Sequence, residues 1–297
     1  MQNVFPTHSL LHRMRPVAVA LGILTAPAAF AQAPTSIYAL GTAVAAVGPI
    51  PAGSQTISLL DPANLSPAAG DLLVANSTKI ITGITAGQRI VGIDVRPNTG
   101  QLYALGYNSS LTTANAQLYT LDYNSAVLTA VGPAVTLNLA DDNRANTRGY
   151  LPNVGFDFNP RVDRIRVVAP NRTDYRLNPN TGALAATDGT LTYAAGTSVG
   201  HDPYIGTAAY TNAAPGVSGT TLYDLDVTAN SALLSTQNPP NAGTLNPQAP
   251  VMFQTNTDPT YFPLASPTIS AGLDIYYDRA GRQNLSYLIV ARFPDTK

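Results

Sequence analysis

The chain contains no cysteine, no tryptophan and no glutamate, and its only lysines are Lys79 and Lys297. Each absence excludes something. Without cysteine there is no disulfide, no thiolate metal site and no acylated lipoprotein terminus, so an exported form must be held by its core alone. Without glutamate, all 17 acidic residues are aspartates, and helix surfaces lose their usual formers while caps and turns gain theirs. One histidine, His201, lies beyond residue 12, so zinc is not expected. No glycine-rich loop leads into a helix, which argues against a nucleotide cofactor.

What is present points to strands. With 23 Gly, 24 Pro and 15 Tyr, the composition is that of many short strands joined by turns. Residues 1–31 read as a secretory signal: Arg13 and Arg15, an apolar run from Pro16 to Phe30, and the small-residue cleavage pattern Ala29-Phe30-Ala31. The run is too short to span a bilayer. The expected product is a single domain, residues 32–297, secreted or periplasmic, with no membrane span. Without the two leader arginines, 14 basic residues face 17 acidic ones, a balance that gives no reason to bind nucleic acid.

A pattern recurs along this domain. Val91 to Val95 (VGIDV) is followed by the turn Pro97-Asn98-Thr99-Gly100 and by the strand-like runs QLYALG, QLYTLD and VLTAVG, the last ending at Gly132. Asn153 to Val168 (NVGFDFNPRVDRIRVV) opens the next copy as strand, turn, strand, with Phe156 and Phe158 alternating against Asp157 and Asn159. That copy continues with YRLN at Tyr175 to Asn178, the turn Pro179-Asn180-Thr181-Gly182 and a strand expected near Leu191 to Ala194. A looser copy holds Ile205 to Tyr210 and Leu222 to Asp226, and a last one starts with GLDI at Gly272 to Ile275. Units of this length, each a small antiparallel sheet, predict an all-β, propeller-like fold of about four to five four-stranded blades. A β-sandwich or a β-solenoid is the alternative.

The run Gly155-Phe-Asp-Phe-Asn-Pro-Arg-Val-Asp-Arg-Ile-Arg166, with Gly92-Ile-Asp-Val-Arg-Pro97, Gln101-Leu-Tyr-Ala-Leu105, Arg176-Leu-Asn-Pro179 and Ala208-Ala-Tyr-Thr-Asn212, resembles a family of exported bacterial proteins known only as a domain of unknown function. The resemblance extends over most of Ile37 to Ala291. It implies a secreted propeller-like β domain and brings no activity and no catalytic residues. Where the family tends to carry an Asn, this chain reads Thr173-Asp174-Tyr175-Arg176, so any role of that Asn does not transfer.

The residues that could carry chemistry fall into four groups. Asp94, Asp157 and Asp274 recur from unit to unit and read as turn-capping or backbone-accepting groups rather than as one catalytic site. Seven arginines lie between Arg144 and Arg176. Arg144, Arg148, Arg164, Arg166 and Arg176, with Asp157 and Asp163, form the candidate ligand site, where guanidinium forks would grip a carboxylate, sulfate or phosphate. The competing reading pairs those arginines with Asp157, Asp163 and Asp174 as internal ties between blades. Asp141-Asp142-Asn143 offers oxygens that suit calcium, the candidate ion of this sequence, but lacks the spaced ligands of a calcium loop, so no cofactor and no metal site is expected. His201, in Gly200-His201-Asp202-Pro203, would be the base of a hydrolase, yet no G-x-S-x-G elbow accompanies it.

No catalytic residue is therefore assigned. The expected function is a secreted, non-catalytic recognition or scaffold module whose partner is a surface glycan or envelope protein. The alternatives are a lyase or hydrolase acting on an anionic polymer, and a purely structural envelope protein.

Overall fold

A computed structural model describes residues 17–21, 36–62, 77–139, 154–197, 199–227, 232–255, 258–263 and 269–292. In chain order the strands are β1 (Val17–Leu21), β2 (Ile37–Thr42), β3 (Gln55–Leu60), β4 (Lys79–Ile80), β5 (Arg89–Val95), β6 (Leu102–Tyr107), β7 (Ala116–Asp122) and β8 (Val127–Ala130). They continue as β9 (Gly155–Asn159), β10 (Arg164–Val168), β11 (Asp174–Leu177), β12 (Leu184–Thr187), β13 (Thr192–Tyr193), β14 (Ile205–Tyr210), β15 (Leu222–Asp226) and β16 (Leu233–Gln237). The last are β17 (Thr244–Pro250), β18 (Met252–Thr255), β19 (Asp258–Pro263), β20 (Ile269–Asp278) and β21 (Gln283–Arg292). Among the described residues there is no α-helix, as a chain without glutamate predicts.

Small antiparallel sheets follow one another: β5 to β8, then β9 to β12, then β14 to β17, then the long β20–β21 hairpin. They form a four-bladed β-propeller. Sequence alternation explains why they pack on both faces. In β6, Tyr103, Leu105 and Tyr107 join Phe156, Phe158, Ile165 and Val167 of the next blade in one core, while Leu102 and Ala104 join Ile57, Ile90 and Tyr119 in another. Two further cores lie between β9–β12 and β14–β17 (Val168, Ile205, Tyr210, Leu222) and between β14–β17 and β20–β21 (Leu225, Val251, Leu288, Val290). β6, between two of these cores, is buried throughout and apolar on both faces. The sheet β2–β3–β4 covers the other face of β5–β8 through Ile57.

Glycine sets how closely inner strands approach. A Cβ on Gly92 would stand 2.4 Å from Phe156 Cβ, and one on Gly155 2.7 Å from Ala208 Cβ. In β5 and β9 the glycine of the G-x-D pattern therefore marks where one inner strand lies against the next, whereas Gly272 of β20 has open space beside it.

Two expectations are revised in detail. The fourth strand of the second full blade is β12, not the segment near Leu191; β13 instead adds to the following sheet, parallel to β17. The cause is Leu191, which is fully buried in the core shared with that sheet. The last unit is a pair of ten-residue strands, and its outer neighbour is β1, paired from Val17↔Val290 to Leu21↔Ser286. β1 lies within residues 1–31, and a chain without those residues would have β21 at the edge of its sheet. No described helix is long and apolar enough to cross a membrane.

Candidate functional site

The inner strands place three aspartates around the axis. Asp94 on β5, Asp157 on β9 and Asp274 on β20 each offer a carboxylate oxygen within 4.8 Å of the others, a spacing at which a cation could be shared. Their positions follow from the repeat. Asp94 Oδ2 accepts from the backbone N–H of Phe158 at 2.7 Å, and Asp157 Oδ2 from that of Tyr210 at 2.7 Å. Each carboxylate thus fastens its own blade to the next inner strand.

In β14 the position corresponding to these aspartates is Ala209, because Ala208 lies against Gly155 as Phe156 lies against Gly92. There the link is made two residues earlier, by Thr207 Oγ1 accepting from Leu273 N at 2.9 Å. Three of four blades are acidic at the axis.

Electrostatics at the axis favour protons. Burial, and then the charge of Asp274, raise Asp94 well above the ordinary carboxylate range. Burial, followed by Asp94 and Asp274, does the same for Asp157, and burial raises Asp274. Asp94 and Asp157 lie close enough that each bears on the ionisation of the other. Asp274 keeps exposed surface, whereas Asp157 is buried.

The arginine-rich stretch builds a second polar centre, between β9–β12 and β13–β17. Arg166 is 1% exposed. Its Nη1 donates to Asp174 Oδ1 and to Asp188 Oδ2, both at 2.6 Å, its Nη2 to Asn241 Oδ1 at 2.9 Å, and its Nε to the Tyr210 hydroxyl at 3.1 Å. Asp188 is also gripped by Arg176, from Nε at 2.7 Å and Nη2 at 2.8 Å. Burial works against the Arg166 charge, but facing Tyr210 and Asp174 overcome it and its pKa is raised. Asp174 is pushed up to about 6, by burial foremost, with Arg166 opposing, so the pair is still ionised at neutral pH.

Of the residues singled out in the sequence, Arg166 and Arg176 meet in this network through Asp188. Asp157 lies directly across the ladder from Arg166, though its carboxylate serves Tyr210 N. Asp163 belongs elsewhere: both its oxygens receive the Arg96 guanidinium, from Nε at 2.9 Å and from Nη2, which holds it below the usual carboxylate range. Arg164 Nη1 donates to the carbonyl of Asp163 at 2.9 Å. Arg144, Arg148 and Asp141-Asp142-Asn143 lie outside the described residues.

His201 is half-exposed, and its Nε2 stands 3.2 Å from Oδ2 of the buried Asp226, which also accepts from the Tyr193 hydroxyl at 2.6 Å. Burial, then this bond, raise the Tyr193 hydroxyl pKa. A histidine oriented by a buried carboxylate is half of a proton-transfer device.

Sequence reasoning missed Asp188, Asp224, Asp226, Gln237 and Asn241. For two of them a signal exists: in LYDLD, Asp224 and Asp226 alternate with Tyr223 and Leu225 and so share a face with Leu222, a core residue. Aspartates at core-facing positions of a strand mark a buried polar centre.

Residues 67–296 match the family described as Domain of unknown function (DUF4394). No curated protein matches the chain. Among solved structures, glutaminyl cyclase from Myxococcus xanthus is similar at 11% identity, covering 95% of this chain and 98% of that one, with a TM-score of 0.40. A putative exo-beta-1,3-galactanase from Bifidobacterium bifidum s17 is similar at 11% identity, covering 88% and 89%, with a TM-score of 0.38. Likeness at this level carries nothing about activity.

Proposed function

We propose, for a chain that belongs to the family Domain of unknown function (DUF4394), a non-catalytic recognition or scaffold role, exercised by a propeller exported from the cell after cleavage near Ala31. One observation carries the reading. The charged groups with the chemistry for catalysis or anion capture are used to join blades: Asp94 and Asp157 hold neighbouring inner strands, and Arg166 ties β10 to Asp174 and Asp188 on one side and to Tyr210 and Asn241 on the other. A rigid ring with its polar groups turned inward presents loops at its two faces, which suits binding to a surface glycan or an envelope protein.

The test is a screen of the purified domain against envelope polysaccharides and extracts, run beside turnover assays on the same polymers. Retention on one polymer with no product formed supports the reading. Product formation abolished by His201→Ala overturns it in favour of a hydrolase or lyase, the second reading, which the His201–Asp226 contact at 3.2 Å favours.

A further inference from the structure

The face between β9–β12 and β13–β17 carries one carboxylate too many. Arg166 and Arg176 are taken by Asp174 and Asp188. Asp224 on β15 is fully buried, and neither of its oxygens meets a hydrogen-bond donor within the protein.

Directly across the ladder is Ser235 on β16, also fully buried, whose hydroxyl is without a partner as well. Two residues along, and so on the same face of β16, is Gln237, 2% exposed. Its Nε2 donates to Asp174 Oδ2 at 2.6 Å and to the carbonyl of Pro240, while its Oε1 has no partner. Two carboxylate oxygens, a hydroxyl and an amide oxygen are therefore buried together on one face. Ser235 does not donate to Asp224, so these oxygens are left without any donor from the protein.

We propose that this set of unpartnered oxygens binds a hard divalent cation, calcium first, with Asp224, Ser235 and Gln237 as its protein ligands. An unpaired buried carboxylate is costly unless it is neutralised or coordinates a metal. A single water could donate to only two of the four oxygens and would leave the charge. An all-oxygen set with one full negative charge suits calcium or magnesium and not a thiolate-seeking metal. Gln237 fixes the site to the Arg166 network through Asp174, so the outer partners that orient the ligands are already in place.

The experiment is calorimetric titration of the chelator-treated full chain with CaCl2 at neutral pH, with MgCl2 and KCl as comparison salts. Wild type should bind one divalent ion at this site. Asp224→Asn should abolish that binding, and Ser235→Ala, which leaves every charge in place, should weaken it on the order of tenfold. Asp274→Asn should leave it intact, since that residue faces the axis. Circular dichroism establishes that the variants are folded; should Asp224→Asn fail to fold, Ser235→Ala carries the test. The proposal is overturned if wild type takes up neither divalent ion, if Ser235→Ala binds as tightly as wild type, or if binding survives Asp224→Asn and is lost in Asp274→Asn, which would place the ion at the axial carboxylates.

Discussion

Replacing Arg166 with methionine removes the charge from a buried polar centre. Four hydrogen bonds are lost, but the two carboxylates do not suffer equally. Asp188 keeps both bonds from Arg176, whereas Asp174 is left with Gln237 alone among its described donors. Breaking a buried ion pair from one side costs about 3–5 kcal/mol, and the surviving Arg176 places the loss near the lower end, about 3 kcal/mol. For a chain of this size that lowers Tm by roughly 6–12 °C. The loss should shrink as pH falls. Asp174 already sits near 6, and without the guanidinium it takes a proton more readily, which removes the stranded charge. Arg166→Met/Asp174→Leu, which removes both ends, should regain much of the stability. Thermal unfolding followed by circular dichroism at pH 5.5 and 8 decides it. A Tm within about 2 °C of wild type at pH 8 would refute the view that Arg166 is a structural tie, as would a loss independent of pH.

The axial carboxylates set a second pH dependence. Asp94, Asp157 and Asp274 all have folded-state pKa values above the ordinary one, so their contribution is fully present below about pH 4 and is lost as pH rises through the folded values. In chelator-treated protein the urea midpoint should fall between pH 5 and pH 8, and Asp274→Asn should flatten that fall. Gly132→Ala should be severely destabilising, by more than about 3 kcal/mol, since φ is +65° and the new Cβ would stand 1.8 Å from the Thr181 carbonyl oxygen; its unfolding midpoint reports this directly. Leu191→Ala, at a fully buried position, should cost about 2–5 kcal/mol and loosen the pairing of β13 with β17, read as faster amide exchange at Thr192 and Ala194, whose N–H groups donate to Gly243 and Leu245.

Repetition made the fold legible. Alternation in GFDF and RIRVV placed β9 and β10 to within a residue, because a strand buried on one or both faces cannot shift register without exposing its apolar set. The turn before Gly182 was readable because a proline, an asparagine and a glycine required it. β13 was assigned to the wrong sheet, since two residues carry no period and only packing of Leu191 decides which edge they join. For the polar centres, sequence distance was the obstacle. Arg166 was paired with Asp174, eight residues away, but Asp188, Tyr210 and Asn241 reach it from 22, 44 and 75 residues away, and no local pattern announces such partners. Asp163 was read with its own neighbours and is held by Arg96, 67 residues earlier.

The links between inner strands all run one way along the chain. Asp94 waits for Phe158, Asp157 for Tyr210, and Thr207 for Leu273; in each case the acceptor is made before its donor. A chain emerging from the ribosome or from an export channel therefore always ends in a blade whose foremost oxygen still faces water, solvated and ready. Each new blade closes the preceding one, and no carboxylate need leave solvent until the strand that receives it has arrived.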